Sequence, residues 1–284
     1  MTKIKNKTVL ITGGANGIGK LIGEKCLKKG AAKLVIWDIN EPLLQQVTTD
    51  LTRKGYEVHS YLVDVSYLDD IKTTAEAVLE EVGNVDILFN NAGIVVGKKF
   101  EQHSTRDIEK TIRINVLGVM HVAHAFLPGM LQMHRGHIIN IASATGLMPN
   151  PNMSVYVASK YAVLGWSESL RIEQDQSHSG VNVTTICPSY INTGMFEGAK
   201  APLLTPILEP DYISNRIIEA VEKDEIVVME PPIVRTLPAL RGLLPARAFD
   251  YLATKVFKVY DSMSDFKGRP KEVAVPDKKK AIKQ

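Results

Sequence analysis

With 284 residues, 45% of them hydrophobic and 23% charged, the chain has the make-up of an ordinary globular protein large enough to bury a substantial core. The formal net charge is only +3, and the basic excess gathers near the end, where Lys278, Lys279 and Lys280 read as a solvated tail; nucleic-acid binding is not expected. Cys26 and Cys187 stand far apart and outside any Cys/His cluster, so neither a disulfide framework nor a metal site is expected.

The opening MTKIKNKTVLITGG passes from a basic start into a short apolar strand, without the longer apolar region and small-residue cleavage site of a secretory signal. No window is read as reaching the ~20 apolar residues that span a bilayer, so a cytoplasmic location is expected. Short β-branched runs then alternate with helix-length segments: 7–12, 33–38, 57–65, 85–90, 136–143, 181–188 and 225–229. Seven strands so separated predict an α/β fold, a single Rossmann-type doubly wound domain with a mostly parallel sheet and helices on both faces. Strands such as ILF and HIINI are almost continuously apolar, as burial on both faces requires. No linker or repeat interrupts residues 1–230, which are read as the catalytic domain.

The first strand empties into Thr12-Gly13-Gly14-Ala15-Asn16-Gly17-Ile18-Gly19, followed by a helical pattern. Glycines there allow a tight turn, close approach of backbone to a pyrophosphate and tight helix packing, while the helix N-terminus offers free N–H groups to phosphate. A glycine cluster alone is weak; between strand 1 and helix 1 of a βαβ series it points to a dinucleotide. The second strand ends at Asp38, twenty-five residues past Gly13, where a carboxylate accepts from ribose hydroxyls and repels a 2′-phosphate. The expected cofactor is therefore NAD rather than NADP.

Further along, Tyr156 and Lys160 stand four apart in a helical pattern and so share a face. A bare YxxxK is more often an ordinary helix. Here it follows Ser143 by thirteen residues and a dinucleotide loop. A neighbouring ammonium and an oxidised nicotinamide both favour the phenolate, which would let Tyr156 exchange a proton near neutrality. Ser143 is expected to orient the substrate oxygen; no GxSxG elbow marks it as a nucleophile.

In order and spacing, Thr12 to Gly19, Asp64-Val65, Asn90-Asn91-Ala92-Gly93, Asn115, Ser143 and Tyr156-x-x-x-Lys160 resemble the short-chain dehydrogenase/reductase family over most of the chain. The resemblance implies that Gly13, Asn16, Gly17, Ile18, Gly19 and Asp38 contact the cofactor, that Asp64 and Val65 hold adenine, and that Asn91, Ala92 and Gly93 flank it. It also implies a catalytic group of Asn115, Ser143, Tyr156 and Lys160. In it Lys160 binds the nicotinamide ribose and Asn115 holds a water linking Lys160 to solvent. After strand 6, Pro188 keeps its place, Ser189 stands where the family usually has Gly, and Thr193 is available for the carboxamide.

The segment 189–210 is expected to form a lid, with Met195, Phe196, Leu203, Leu204 and Ile207 lining a site for a lipophilic substrate. CPxxxxTGMF and the C-terminal DSMSDFKGR are similar to retinol dehydrogenases and 17-beta-hydroxysteroid dehydrogenases. Those relatives commonly carry an N-terminal hydrophobic anchor, which is not seen here. Residues 231–262, apolar and basic and broken by Pro232, Pro238 and Pro245, are read as a helical extension that either covers the substrate cleft or a subunit interface, or rests peripherally on a membrane surface through Arg235, Arg241, Arg247, Lys255 and Lys258. Residues 263–284 are expected to form a polar, mobile tail. His121 and His124 are read as helix residues near a core or interface. The relatives usually pair through helices around 105–133 and 153–176, which implies a homodimer or homotetramer. The predicted activity is interconversion of a lipophilic alcohol and its carbonyl; the alternatives are reduction of another carbonyl class, such as 3-oxoacyl thioesters, and a non-catalytic NAD-binding scaffold.

Overall fold

Alternate residues of strand β1 (Thr8–Thr12) enter two different cores, Val9 and Ile11 one and Leu10 the other, because successive side chains leave a strand on opposite faces. The computed structural model, which describes residues 1–268, builds this into a seven-stranded sheet with every pairing parallel. The remaining strands are β2 (Lys33–Asp38), β3 (Val58–Leu62), β4 (Ile87–Asn90), β5 (Gly136–Ile141), β6 (Val181–Pro188) and β7 (Val227–Glu230), in the order β3-β2-β1-β4-β5-β6-β7. Two of them end before their apolar patterns do. The run 57–65 keeps only Val58–Leu62 as strand, releasing Asp64 and Val65 into the following loop, and 136–143 ends at Ile141, so that Ser143 opens a 3₁₀ turn over Ala144–Gly146.

Helices α1 (Gly17–Lys28), α2 (Glu41–Arg53) and α7 (Pro210–Lys223) cover one face of the sheet. The other face is covered by α3 (Leu68–Glu81), α5 (Val119–Gln132) and α6 (Ser154–Gln176), with Trp37 and Phe126 packing at 5.6 Å between ring centroids. Local sequence sets the starts of these helices. Asn40 Oδ1 accepts from the Leu43 amide at 3.1 Å to cap α2, and Ser104 with Asp107 forms a reciprocal capping box on α4 (Thr105–Ile112). A single π-helical turn, Arg113–Gly118, joins α4 to α5.

That join corrects the reading of the chain as holding no membrane-length apolar segment. The continuous helical run Thr105–Gln132 is long and apolar enough to cross a membrane by length and composition. Half of its apolar window is buried, and Val122, Phe126 and Met130 pack into the sheet core. His121 and His124 fall on its less buried side.

The chain leaves β1 toward β2 and β3 but leaves β4 toward β5, β6 and β7. Adjacent loops at the carboxyl ends of β1 and β4 therefore diverge and open a crevice, the usual ligand position in such sheets. Beyond β7, a 3₁₀ segment (Pro232–Thr236), α8 (Leu237–Leu243), α9 (Ala246–Tyr251) and a π turn (Leu252–Val256) fold back over that end. Arg241 donates to the Leu147 carbonyl at 2.9 Å and to the Tyr161 hydroxyl, tying α8 to α6.

The expected mobile tail is corrected at its start. Met263 is buried and Phe266 packs with it in the cluster that contains Tyr156 and Tyr190, because these apolar side chains three apart both lie against Gly97. Residues 269–284 of the predicted tail, with Lys278 to Lys280, lie outside the described residues.

Candidate active site

A crevice of about 520 Å³ runs across the carboxyl ends of the central strands. Gly13 (φ +66°) and Gly17 (φ +55°) adopt left-handed backbone that side chains resist, and a Cβ at Gly13 would stand 3.0 Å from the Ala92 Cα. At Gly19 a Cβ would collide with the Gly13 carbonyl oxygen, so helix α1 can lie against its own loop only with glycine there. The loop is then locked to the end of β4: Asn91 Nδ2 donates to the Thr12 and Gly13 carbonyls at 3.0 Å each, while Thr12 Oγ1 accepts from the Asn91 and Ala92 amides at 3.1 Å. Asn16 Oδ1 accepts from Gly17 N at 2.6 Å, which caps α1 at the crevice.

At the end of β2, Asp38 Oδ2 accepts from the Ala15 amide at 2.9 Å and Oδ1 from the Asn40 amide at 3.0 Å. Each oxygen retains a lone pair, held in place for a hydroxyl donor. Asp64 accepts from the amide and hydroxyl of Ser66 at 2.9 and 2.7 Å, ordering the loop that carries Val65. Ile18, Gly93, Pro188 and Thr193 complete the lining, Thr193 facing Gly17 across the crevice.

The residues thus fit a dinucleotide on three independent counts. The loop is a cradle that a Cβ would fill, an α-helix N-terminus opens onto it, and the Asp38 carboxylate stands against the loop at the end of β2, in the chain pattern of ribose recognition. The lining residues next to Asp38 in the chain, Trp37, Ile39 and Asn40, offer no cation to a 2′-phosphate.

Tyr156 and Lys160 project from one face of α6 into the same crevice, next to Ser143. The Lys160 Nζ lies 5.6 Å from the Tyr156 ring centroid and donates to the Ile141 carbonyl at 2.8 Å, leaving two of its three hydrogens for a ligand. Their ionisation departs from the expectation that the ammonium lowers the phenol. Burial pushes Tyr156 well above the usual tyrosine range, opposed by the Ser143 hydrogen bond, and Tyr190 adds to the rise. Burial also pushes Lys160 down to about 8, with Cys187 opposing. Desolvation penalises both charged forms at once, so the protein alone holds Tyr156 as a proton donor.

Asn115 sits 1% exposed on the π turn, and its side chain is committed: Oδ1 accepts from the Ile94 amide at 2.9 Å, and Nδ2 donates to the Ile94 carbonyl and Ser159 Oγ at 2.9 and 3.1 Å. One amide hydrogen is spent on the loop that follows β4 and the other on α6, so the side chain braces that loop against α6 and has one Oδ1 lone pair left for a water. The π turn, which places it, has no signature in composition.

A second, smaller and more apolar pocket adjoins the first; Ser143, Ser189 and Phe196 stand in the walls of both. Its apolar lining comes from the inner faces of the C-terminal extension (Leu237, Leu240, Phe249, Phe257) and from Met148 and Leu203. The 231–262 segment thus lines this apolar pocket. Two expected lid residues are corrected: Leu204 is 63% and Ile207 39% exposed, outside the lining, because Leu204 sits at a left-handed turn that faces it outward. Met195 lines the larger crevice. The sequence reading missed Thr145, Met148, Asn150 and Tyr190, whose only local cue is their nearness to Ser143 and Pro188.

The profile of the family described as short chain dehydrogenase matches residues 7–203. Epidermal retinol dehydrogenase 2 of Mus musculus is 35% identical over 274 residues, covering 95% of this chain and 88% of that protein. Estradiol 17-beta-dehydrogenase 11 of Homo sapiens is 34% identical over 265 residues, covering 93% and 88%. Among solved structures, a short chain dehydrogenase/reductase from Burkholderia phymatum in complex with NAD superposes with a TM-score of 0.78 at 28% identity over 85% of this chain and 95% of its own. A short-chain dehydrogenase from Sphingobium yanoikuyae in complex with NADPH gives 0.74 at 28% identity, covering 88% and 96%. With the crevice, the Ser143-Tyr156-Lys160 group and these likenesses together, the chain belongs to the short chain dehydrogenase family.

Proposed function

We propose that this protein is an NAD(H)-dependent oxidoreductase that interconverts a lipophilic alcohol and its carbonyl, of retinoid, steroid or long-chain type. One observation carries the reading: Ser143 stands at the junction of a polar, glycine-floored crevice and an apolar cavity, beside Tyr156 and Lys160. Bound dinucleotide supplies the hydride acceptor or donor. Ser143 then hydrogen-bonds the substrate oxygen. Tyr156 exchanges the hydroxyl proton with that oxygen, and Lys160 steadies the phenolate and binds ribose with its two remaining hydrogens. The protonated phenol suits carbonyl reduction directly; oxidation needs the added positive charge of oxidised cofactor to bring its pKa down. Asp38 supports the preference for NAD, since its carboxylate repels a 2′-phosphate.

The apolar cavity favours lipophilic substrates over thioesters with charged carriers, and the extension that closes it supplies a place for lipid contact. Arg235 and Arg241 are engaged internally, with Glu230 and with Leu147 and Tyr161, so the outward side of that proposed contact consists of Leu204, Leu243 and Tyr251 with Arg247, Lys255 and Lys258. We also propose self-association through α5 and α6, where Leu131, Tyr161 and Ile172 are exposed apolar side chains, with Leu117 on the adjoining π turn. The location that fits these features is cytoplasmic, peripheral at a membrane surface. Incubation of purified protein with NAD and a panel of steroids, retinol and long-chain secondary alcohols tests the activity: NADH absorbance should rise with at least one, and a flat trace with all would overturn the proposal.

A further inference from the structure

Residues 257–268, a strap that follows the last π turn, are tied to the substrate loop 196–205 by backbone. The amides of Lys200 and Leu203 donate to the Ser262 and Phe257 carbonyls at 2.8 and 2.9 Å, and the Lys267 amide donates to the Glu197 carbonyl at 2.8 Å. Lys200 Nζ adds an ion pair with Asp265 at 2.6 Å. Phe196, Pro202 and Leu203 of the loop line the apolar pocket, and so do Phe257 and Val259 of the strap, so the two segments wall it together. Exposed ion pairs contribute little, and solvent-facing loop hydrogen bonds open readily. The strap therefore needs an apolar anchor.

Met263 is buried and Phe266 half-buried in the cluster that holds Tyr156, Tyr190, Val95 and Phe196. A Cβ on Gly97 would stand 2.6 Å from Phe266 Cε1 and 3.0 Å from Met263 Cε, the first too close for atoms to pack. Gly97 does not adopt a positive φ, so its bare backbone serves as a socket for the ring and not as a turn. The socket is firm, because the Ile94 amide donates to Asn115 and the Ile94 carbonyl accepts from it, at 2.9 Å each. Neither Met263 nor Phe266 lines the crevice or the pocket, so they act on a ligand only through what they hold. What they hold includes Phe196, next to the bridged Glu197, whose ring stands edge-on to Tyr156 at 6.1 Å.

We infer that Phe266 is a positioning residue: seated on Gly97, it latches the strap, and with it the loop 196–205, in the arrangement that receives substrate. The inference rests on the oxidoreductase reading for its effect on turnover, while the latch itself is read without substrate. Surface segments with few apolar anchors open locally when one is lost. A shift from about one molecule in twenty released to about four in five speeds cleavage of the loop about sixteenfold and, because only the latched form is ready to bind, raises KM about fivefold. The latch is the same in the ground and transition states, so kcat is spared.

Limited trypsinolysis of the full chain, read by mass spectrometry, follows the bond after Lys200, with the bond after Lys54 in the turn between α2 and β3 as a remote control. Phe266→Ala should speed the cut after Lys200 at least about tenfold and leave the cut after Lys54 unchanged. Phe266→Leu still fills the socket and should stay within about threefold of wild type. Gly97→Ala, whose methyl meets Phe266 and Met263 first, should act like Phe266→Ala, and the two together should add less than about threefold because both remove one contact. With an alcohol that is turned over, Phe266→Ala and Gly97→Ala should raise KM at least about fivefold, with kcat within about twofold and NAD affinity unchanged. The inference is overturned by an unchanged cut after Lys200 in both variants, by Phe266→Leu cut as fast as Phe266→Ala, or by the Lys54 cut rising in step. If cleavage responds as stated while no alcohol is oxidised, the latch stands and the oxidoreductase reading falls; alcohol oxidation with cleavage and KM unmoved does the reverse.

Discussion

Replacing Lys160 by Met keeps the length of the side chain and removes its charge, and it should change how stability depends on pH. Lys160 is held at about 8 by burial, against 10.5 for the free side chain. Between those values the unfolded chain binds a proton that the folded protein does not, so stability rises with pH across that window. Two and a half pH units at about 1.4 kcal/mol each correspond to about 3 kcal/mol. Below pH 8 both states are protonated and the desolvation cost is fully present. Tyr156 acts oppositely, since its folded pKa is raised: its contribution is present below pH 10 and is lost above it, outside the useful range. The assay is urea unfolding of wild type and Lys160→Met at pH 7, 8, 9 and 10, read as the difference in stability. All other titrating groups cancel in that difference to the extent that they are independent of position 160. Wild type should gain about 2 to 3 kcal/mol on the variant from pH 7 to pH 10. Parallel curves would refute the claim that this ammonium is buried at the cost of its proton. The absolute offset is less telling, because methionine also leaves the Ile141 carbonyl without its donor.

Gly19→Ala should weaken NAD binding by at least about a hundredfold, roughly 2.7 kcal/mol, because the added methyl drives α1 away from the Gly13 carbonyl; NADH fluorescence titration measures it, and unchanged affinity would show the loop can yield. Asp38→Ala should cost NAD about tenfold in affinity while improving NADP, so the ratio of the two dissociation constants moves toward one. Leu204→Asp with Leu243→Asp places charge on side chains already 63% and 82% exposed, so the fold should persist while liposome flotation is reduced; equal flotation would remove the lipid-contact proposal.

The sheet was readable because parallel strands buried on both faces must be continuously apolar, as ILFN and HIINI are. Gly13, Asp38, Ser143, Tyr156 and Lys160 stood out because each chemical role demands a residue type at a set distance from a strand end. Boundaries were less visible: 57–65 looked uniform, yet pairing stops at Leu62 where the edge strand becomes exposed. The apolar cavity could not be read at all, since Met148, Leu203 and Phe249 come from three separate segments and meet only in the fold. The same holds for the direction of the Tyr156 shift. A four-residue spacing shows that a cation is near, but whether it outweighs desolvation depends on burial, and here burial wins. Met263 and Phe266 were hidden among polar neighbours in a segment that reads as tail.

The central claim is that the Tyr156 hydroxyl carries the proton of the reaction while leaving cofactor binding alone. Tyr156→Phe removes that oxygen and keeps the ring that packs against Phe196. With the best alcohol of the panel, NAD affinity should stay within about twofold of wild type while kcat falls by at least about a hundredfold. A variant that still turns over near the wild-type rate would contradict the account.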